Sequence, residues 1–229
     1  MKLVTIDVGN STVDLVVWED NQRKWFKKLS HKEFEKLELM NIYGIAVSVK
    51  PSFNKVLLRK FPKVRFLKKD YIPVRIAYKT SHTLGIDRVL LAYSAIEFYG
   101  KDVILISAGT ALVIDLILEG IFYGGFITLG VSKKLKALSE MTEGIPEFLP
   151  KKLNLSIGRS TEECVVGGVI KESEVFLKEV IDNWKKEYKR NFRVVITGGD
   201  GELFENLGVY DKFLIHKGLK KLLDANIGI

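Results

Sequence analysis

Ile6-Asp7-Val8-Gly9-Asn10-Ser11-Thr12 is the stretch on which the reading of this chain turns. An apolar, β-like run from Leu3 to Ile6 leads into it, and a second, Val13 to Trp18, leads away. Glycine lets backbone come close to a ligand. Asn10, Ser11 and Thr12 add side-chain donors to the backbone N–H groups. Asp7 is of the type that holds Mg²⁺, directly or through water, because that ion prefers oxygen ligands. A carboxylate beside a ring of donors suits a nucleotide phosphate. Taken alone, the same residues also read as an ordinary hairpin with a polar turn.

A second stretch a hundred residues on favours the phosphate reading. Ser107-Ala108-Gly109-Thr110-Ala111 follows the apolar run Val103 to Ile106 and precedes another, Leu112 to Leu118. Glu119-Gly120 and Tyr123-Gly124-Gly125-Phe126-Ile127 come next. The grammar is that of the first segment: strand, glycine-hydroxyl turn, strand, polar turn, strand. The chain reads as two copies of one β-hairpin opening, with phosphate gripped between two turns.

At 229 residues the chain has room for one large or two small domains, and its 47% hydrophobic content supports a buried core. No run of 18 apolar residues suggests a membrane span, and Met1-Lys2-Leu3 leads into a strand rather than a signal peptide. Cys164 is the single cysteine, so no intrachain disulfide forms and a reducing cytoplasm is expected. His31, His82 and His216 offer no Cys/His metal cluster and read as structural or surface residues. The net charge of +8 raises nucleic acid as a partner. The lysines alternate with glutamates, however, as in Lys185-Lys186-Glu187-Tyr188-Lys189-Arg190. A basic surface that attracts anionic substrates is the expectation, with no nucleic acid and no membrane as partner.

Periodicity predicts a three-stranded meander over 2–7, 12–18 and 23–29, a helix over 31–38, and a strand from Tyr43 to Val49. Helices over Ser52–Phe61 and Leu84–Tyr99 follow, the second stopped by Gly100. The second half repeats the plan with strands at 103–107, 111–118 and 121–127 and a helix from Ser132 to Thr142. Ser160 and Glu163 suggest a capping box opening a helix to about Lys189. A strand over Val194–Ile196 and a helix over Gly218–Ala225 complete the pattern. Two α/β domains are expected, 1–100 and 101–229, with a cleft between them.

These residues resemble the type III pantothenate kinases, of the actin-like superfamily of acetate kinases, sugar kinases and related ATPases. Asp7-Val8-Gly9-Asn10-Ser11 resembles the family's D-x-G-N-[TS] turn, and Val47-Ser48-Val49-Lys50-Pro51 its S-V-x-P strand end. Leu84-Gly85-Ile86-Asp87-Arg88 resembles the diagnostic G-x-D-R motif. Gly109-Thr110-Ala111 with Asp115 resembles the second phosphate turn, Ile157-Gly158-Arg159-Ser160-Thr161 the I-G-x-x-T motif, and Thr197-Gly198-Gly199 the adenosine-side T-G-G. The match runs in order over nearly the whole chain.

The resemblance implies two ribonuclease H-like (actin-like) α/β domains with a nucleotide-binding cleft. It also implies phosphoryl transfer from ATP to the primary hydroxyl of pantothenate, the first step of coenzyme A synthesis. Asp87 is then the general base. Tyr78, Gly85, Ile86, Asp87 and Arg88 bind pantothenate, the arginine pairing with its carboxylate. Thr161 reaches the site of a neighbouring subunit, which implies a homodimer. Asp7, Val8, Gly9, Asn10, Ser11, Thr12, Gly109, Thr110, Gly198 and Gly199 bind ATP, with Mg²⁺ held by Asp7 through water. The family also uses a monovalent cation, K⁺ or NH₄⁺. Here Ser107 stands where the family places an aspartate, and Leu112 and Val113 replace two threonines, so a weaker dependence is expected. A different small-molecule kinase of the superfamily, or a non-catalytic nucleotide-binding regulator, are the alternatives to this reading.

Overall fold

The computed structural model describes residues 2–227. The elements in order are β1 (Lys2–Val8), β2 (Thr12–Glu19), β3 (Gln22–Ser30), α1 (His31–Glu35), β4 (Tyr43–Ser48), α2 (Asn54–Lys60), β5 (Val64–Phe66), a short β6 (Arg75–Ile76) and α3 (Ile86–Tyr99). Then come β7 (Val103–Ala108), β8 (Ala111–Leu118), β9 (Ile121–Leu129), α4 (Val131–Met141), α5 (Thr161–Tyr188), β10 (Arg193–Thr197), β11 (Val209–Tyr210) and α6 (Leu214–Asp224).

The chain divides into two compact units. One runs as far as Glu97 and resumes at Phe213; the other is Phe98–Lys212. The closing segment therefore belongs with the first unit, not with a domain spanning 101–229. The reason is apolar burial: α6 packs on β1 and β4 and adds Phe213 and Leu223 to a small core with Leu3, Val16 and Trp18.

In the first unit the sheet runs β3-β2-β1-β4-β5. The β1–β2 and β2–β3 pairs are antiparallel, and β1–β4 and β4–β5 are parallel. One face carries Val4, Ile6, Val8, Val13 and Leu15, alternating as a half-covered strand requires, and is closed by Phe34, Phe53, Leu57 and Phe61. Each such side chain, fully buried, contributes about 1.5–3 kcal/mol.

In the second unit β9-β8-β7-β10-β11 repeat that order and those directions. The duplicated opening inferred from the two glycine turns is thus a duplicated sheet. Its core face, with Ile104, Ile106, Leu112, Ile114 and Ile196, meets Leu135 of α4 and Val166, Ile170, Leu177 and Ile181 of α5. Phe176 and Trp184 of α5 pack at the margin of this core against Phe126, the indole stacked at 5.9 Å.

Several bounds differ from the sequence pattern. The helix expected over 31–38 ends at Glu35, and a 3-10 turn, Pro51–Phe53, takes the start of the one expected from Ser52. The last helix begins at Leu214 rather than Gly218. Ser160 caps α5 through Glu163 N–H, but the Glu163 carboxylate accepts from Arg159 N–H at 2.7 Å, so the reciprocal half of the box is absent. The full box lies at α1 instead, where Ser30 and Glu33 exchange both bonds.

Candidate active site

In the first unit, β1 delivers Asp7 to the sheet end and the chain reverses over Gly9–Ser11, with Gly9 N–H donating to the Thr12 carbonyl at 2.9 Å. Antiparallel register sets Asp7 directly opposite Asp14. Like charges placed so are unfavourable. Burial first, then the charges of Asp14 and Asp87, push the Asp7 carboxyl up to about 7, with Lys28 pulling the other way. Lys28 lies 3.9 Å from Asp14.

Asp87 stands in the first turn of α3, where the helix dipole favours a carboxylate. Burial raises its pKa; the N–H groups of Arg88 and of Asp87 itself, and the Arg88 charge, offset part of that rise. A Cβ at Gly85 would meet Asp87 Oδ1, so glycine here leaves the carboxylate its present position without calling on an unusual backbone angle. The Arg88 guanidinium is buried and lies 5.6 Å over the Tyr78 ring, within cation–π range. The structure thus brings Tyr78 to Arg88 and places Asp87 within the field of Asp7.

In the second unit the turn is tighter. Gly109 N–H donates to the Ala111 carbonyl at 2.9 Å, spanning one residue fewer than its counterpart at Gly9. Gly198 has φ +93° and packs on the Ala108 carbonyl, where no Cβ fits. Asp200 N–H donates to that same carbonyl at 3.0 Å. The Asp200 carboxylate accepts from Ser132 Oγ and N–H at the start of α4. Gly109–Thr110, Gly198–Gly199 and the start of α4 therefore form one cluster. Ser107 pairs with Val113 and Thr197. Asp115, buried, faces Leu105 in register, which sets it on the same side of the sheet as Ser107. Thr161 is exposed at the first position of α5.

Among the described residues, no group of three His, Cys, Asp or Glu side chains forms a metal cage. The donor set fits a divalent ion held by one or two carboxylates, with water and phosphate oxygens completing the shell. That is the coordination Mg²⁺ prefers. The raised Asp7 carboxyl, facing Asp14, is the observation that favours a cation there.

A family profile described as type III pantothenate kinase matches residues 3–183. The chain belongs to the type III pantothenate kinase family. It is 55% identical over 223 residues to the type III pantothenate kinase of Aquifex aeolicus, covering 97% of each chain. It is 29% identical to that of Christiangramia forsetii, covering 99% of each. Among solved structures, a Campylobacter jejuni protein assigned to the Baf family of transcriptional activators superposes with TM-score 0.70 at 24% identity, covering 97% of this chain and 98% of that one. The activator of 2-hydroxyisocaproyl-CoA dehydratase from Clostridium difficile, solved with ADPNP, gives 0.55 at 8% identity over 99% and 97%. These likenesses establish the actin-like α/β fold expected from the sequence.

Sequence reasoning passed over Asp14, which register sets opposite Asp7, and Asp200, which receives the start of α4. Asp14 was legible from its place seven residues after Asp7, given a tight turn between them. Asp200 left no local signal, since its partner Ser132 lies 68 residues away in the chain.

Proposed function

We propose that this protein phosphorylates the primary hydroxyl of pantothenate with ATP, giving 4′-phosphopantothenate and ADP at the first step of coenzyme A synthesis. The observation that carries the reading is the Asp87–Arg88 pair at the start of α3, with Tyr78 against the arginine. It stands within the region that matches the family.

Such a transfer needs alignment and charge neutralisation more than covalent chemistry. Asp87 takes the hydroxyl proton as the substrate oxygen bonds to the γ-phosphorus and the bond to the ADP oxygen breaks. Its raised pKa moves the carboxylate closer to the working pH, where a general base is most effective. Arg88 pairs with the pantothenate carboxylate as a two-pronged donor. In the first unit Gly9, Asn10, Ser11 and Thr12 hold phosphate; in the second, Gly109 and Thr110 do so and Gly198–Gly199 admit the adenosine. Asp7 would hold Mg²⁺ through water, and the ion would neutralise phosphate charge. A coupled assay with pantothenate, ATP and Mg²⁺, run beside a panel of other small hydroxyl acceptors, tests the reading. Turnover of another acceptor but not of pantothenate overturns it.

The working form is proposed to be a cytoplasmic homodimer in which Thr161 completes the partner's pocket. In support, the second unit exposes the large apolar side chains of Ile127, Leu129, Met141 (83%), Leu149 (78%) and Ile157 (66%). Closed two-fold pairing is the commonest form of self-association that would cover them. No helix is long and apolar enough to cross a membrane among the described residues. Sedimentation of an active monomer at assay concentration overturns the dimer.

A further inference from the structure

Three backbone carbonyls converge on one ammonium group in the first unit. Lys69 Nζ donates to the Ser81 carbonyl at 2.8 Å and to the Leu84 carbonyl at 3.1 Å, with the His82 carbonyl at 3.5 Å. Lys69 opens a 3-10 turn, Lys69–Tyr71, just after β5. The carbonyls belong to a second 3-10 turn, Ser81–Thr83, and to the residue that follows it. That segment runs directly into Gly85-Ile86-Asp87-Arg88.

The turn needs an outside donor. Thr83 Oγ1 serves the Thr80 carbonyl at 2.9 Å, and Leu84 N–H reaches the Ser81 carbonyl at a long 3.3 Å. The ladder of α3 begins one residue later, with Val89 N–H on the Gly85 carbonyl. The Leu84 carbonyl thus falls between the turn and the helix. An ammonium has three N–H donors and no acceptor, so it serves several carbonyls aimed at one point. Converging carbonyl dipoles also favour a positive charge there. No uncharged side chain combines these properties on a comparable stem.

We propose that Lys69 is a positioning residue for phosphoryl transfer, its ammonium acting as an internal cation that fixes the Ser81–Leu84 segment and so the direction in which Asp87 and Arg88 leave the start of α3. The inference rests on the reading of Asp87 and Arg88 given above. Leu84 stands three residues before Asp87, so slack in the segment passes directly to the base. A displacement of about 1 Å at a reacting group costs up to roughly 100-fold in rate.

The test is Lys69→Ala, a change at a half-buried loop position outside the cores. kcat/KM for pantothenate falls by about 10- to 100-fold, while KM for ATP stays as in the unmodified protein. Added ethylammonium occupies the vacated place and restores turnover in the variant, without activating the unmodified protein. Tetramethylammonium, which has no N–H, does not. Hydrogen exchange of residues 81–85 in the substrate-free protein rises in Lys69→Ala and falls again with ethylammonium. Unchanged exchange in the variant overturns the clamp. Unchanged pantothenate kinetics, or an equal loss for ATP and pantothenate that no amine repairs, overturns its role in positioning. Failure of the unmodified protein to phosphorylate pantothenate overturns instead the functional reading, and the exchange measurement still decides the clamp.

Discussion

The His31 imidazole donates through Nε2 to the Gly9 carbonyl at 3.1 Å, and Lys50 Nζ donates to its Nδ1 at 3.2 Å. Lysine is a donor only, so Nδ1 accepts and the proton sits on Nε2. The tautomer that secures the first glycine turn is therefore set by Lys50. The ring also lies 4.6 Å from Phe53. His31→Phe keeps the ring packing and loses the bond. A net hydrogen bond is worth about 0.5–1.5 kcal/mol, so KM for ATP should rise about 3- to 10-fold, with KM for pantothenate unchanged. Steady-state kinetics in both substrates checks this, and equal effects on the two would count against a phosphate role for the turn.

Asp7 makes the fold pH-sensitive. Its carboxyl is held at about 7 in the native state, against 3.8 as the ordinary value. Between these values the unfolded chain has lost a proton that the native state retains. Stability from this group is full below about pH 4, falls as pH rises, and levels off above 7. Asp7→Asn removes the effect together with the proposed Mg²⁺ contact. The variant should be inactive yet melt above the unmodified protein at pH 8, with the gap closing towards pH 4. Thermal unfolding across that range reads the difference.

His216 acts in the opposite sense. It is fully buried, its Nδ1 shares a hydrogen bond with Thr5 Oγ1 at 2.9 Å, and Thr5 Oγ1 accepts from Trp18 Nε1 at 2.9 Å. Burial pushes its pKa down to about 3 from 6.5. Below 6.5 the unfolded chain takes up a proton that the native state refuses. The stability from this group is present above 6.5 and is lost as pH falls towards 3. His216→Gln should flatten the acid limb of a Tm–pH curve and leave the limb above pH 6.5 unchanged. Because Asp7 and His216 oppose each other between pH 4 and 6.5, only the single variants separate them.

Gly85→Ala tests the placement of Asp87 without touching its chemistry. The added methyl meets Asp87 Oδ1 and must turn the carboxylate away. Asp87→Asn, which removes the base, should lower kcat by roughly 10²- to 10⁴-fold. Gly85→Ala should also lose most of its turnover, while far-ultraviolet circular dichroism and Tm stay close to those of the unmodified protein. Near-normal turnover in Gly85→Ala would show that Asp87 works from another position.

Ser107 bears on the monovalent cation. A hydroxyl supplies an oxygen ligand but no net charge. A carboxylate at ~4 Å attracts such an ion by about 4 kcal/mol at an effective dielectric of 20, before desolvation. K⁺ or NH₄⁺ should activate the unmodified protein weakly and Ser107→Asp more strongly. Initial rates in Tris buffer with a K⁺ titration measure both. Strong, saturable activation of the unmodified protein would show that another carboxylate serves, with Asp115 on the same sheet face the first to substitute.

The sequence by itself determined much of what rests on near neighbours, though not the Ser160–Glu163 box, whose carboxylate turns to Arg159 N–H. Strand alternation, the Gly9 and Gly109 turns and the helix pattern from Ile86 each involve residues within a few positions of one another, so their spacing records them. The ordered motifs carried the family with them. Tertiary structure decided what depends on distant partners. It sent α6 to the first unit, where Phe213 and His216 meet a sheet face built some two hundred residues earlier. It set Asp14 against Asp7 through strand register, Lys50 and His31 beneath Gly9, and Lys69 under the approach to Asp87. A lysine in a polar stretch reads the same whether it faces water or three carbonyls. Only the folded backbone brings those carbonyls to one point, on the ammonium of Lys69 just before α3.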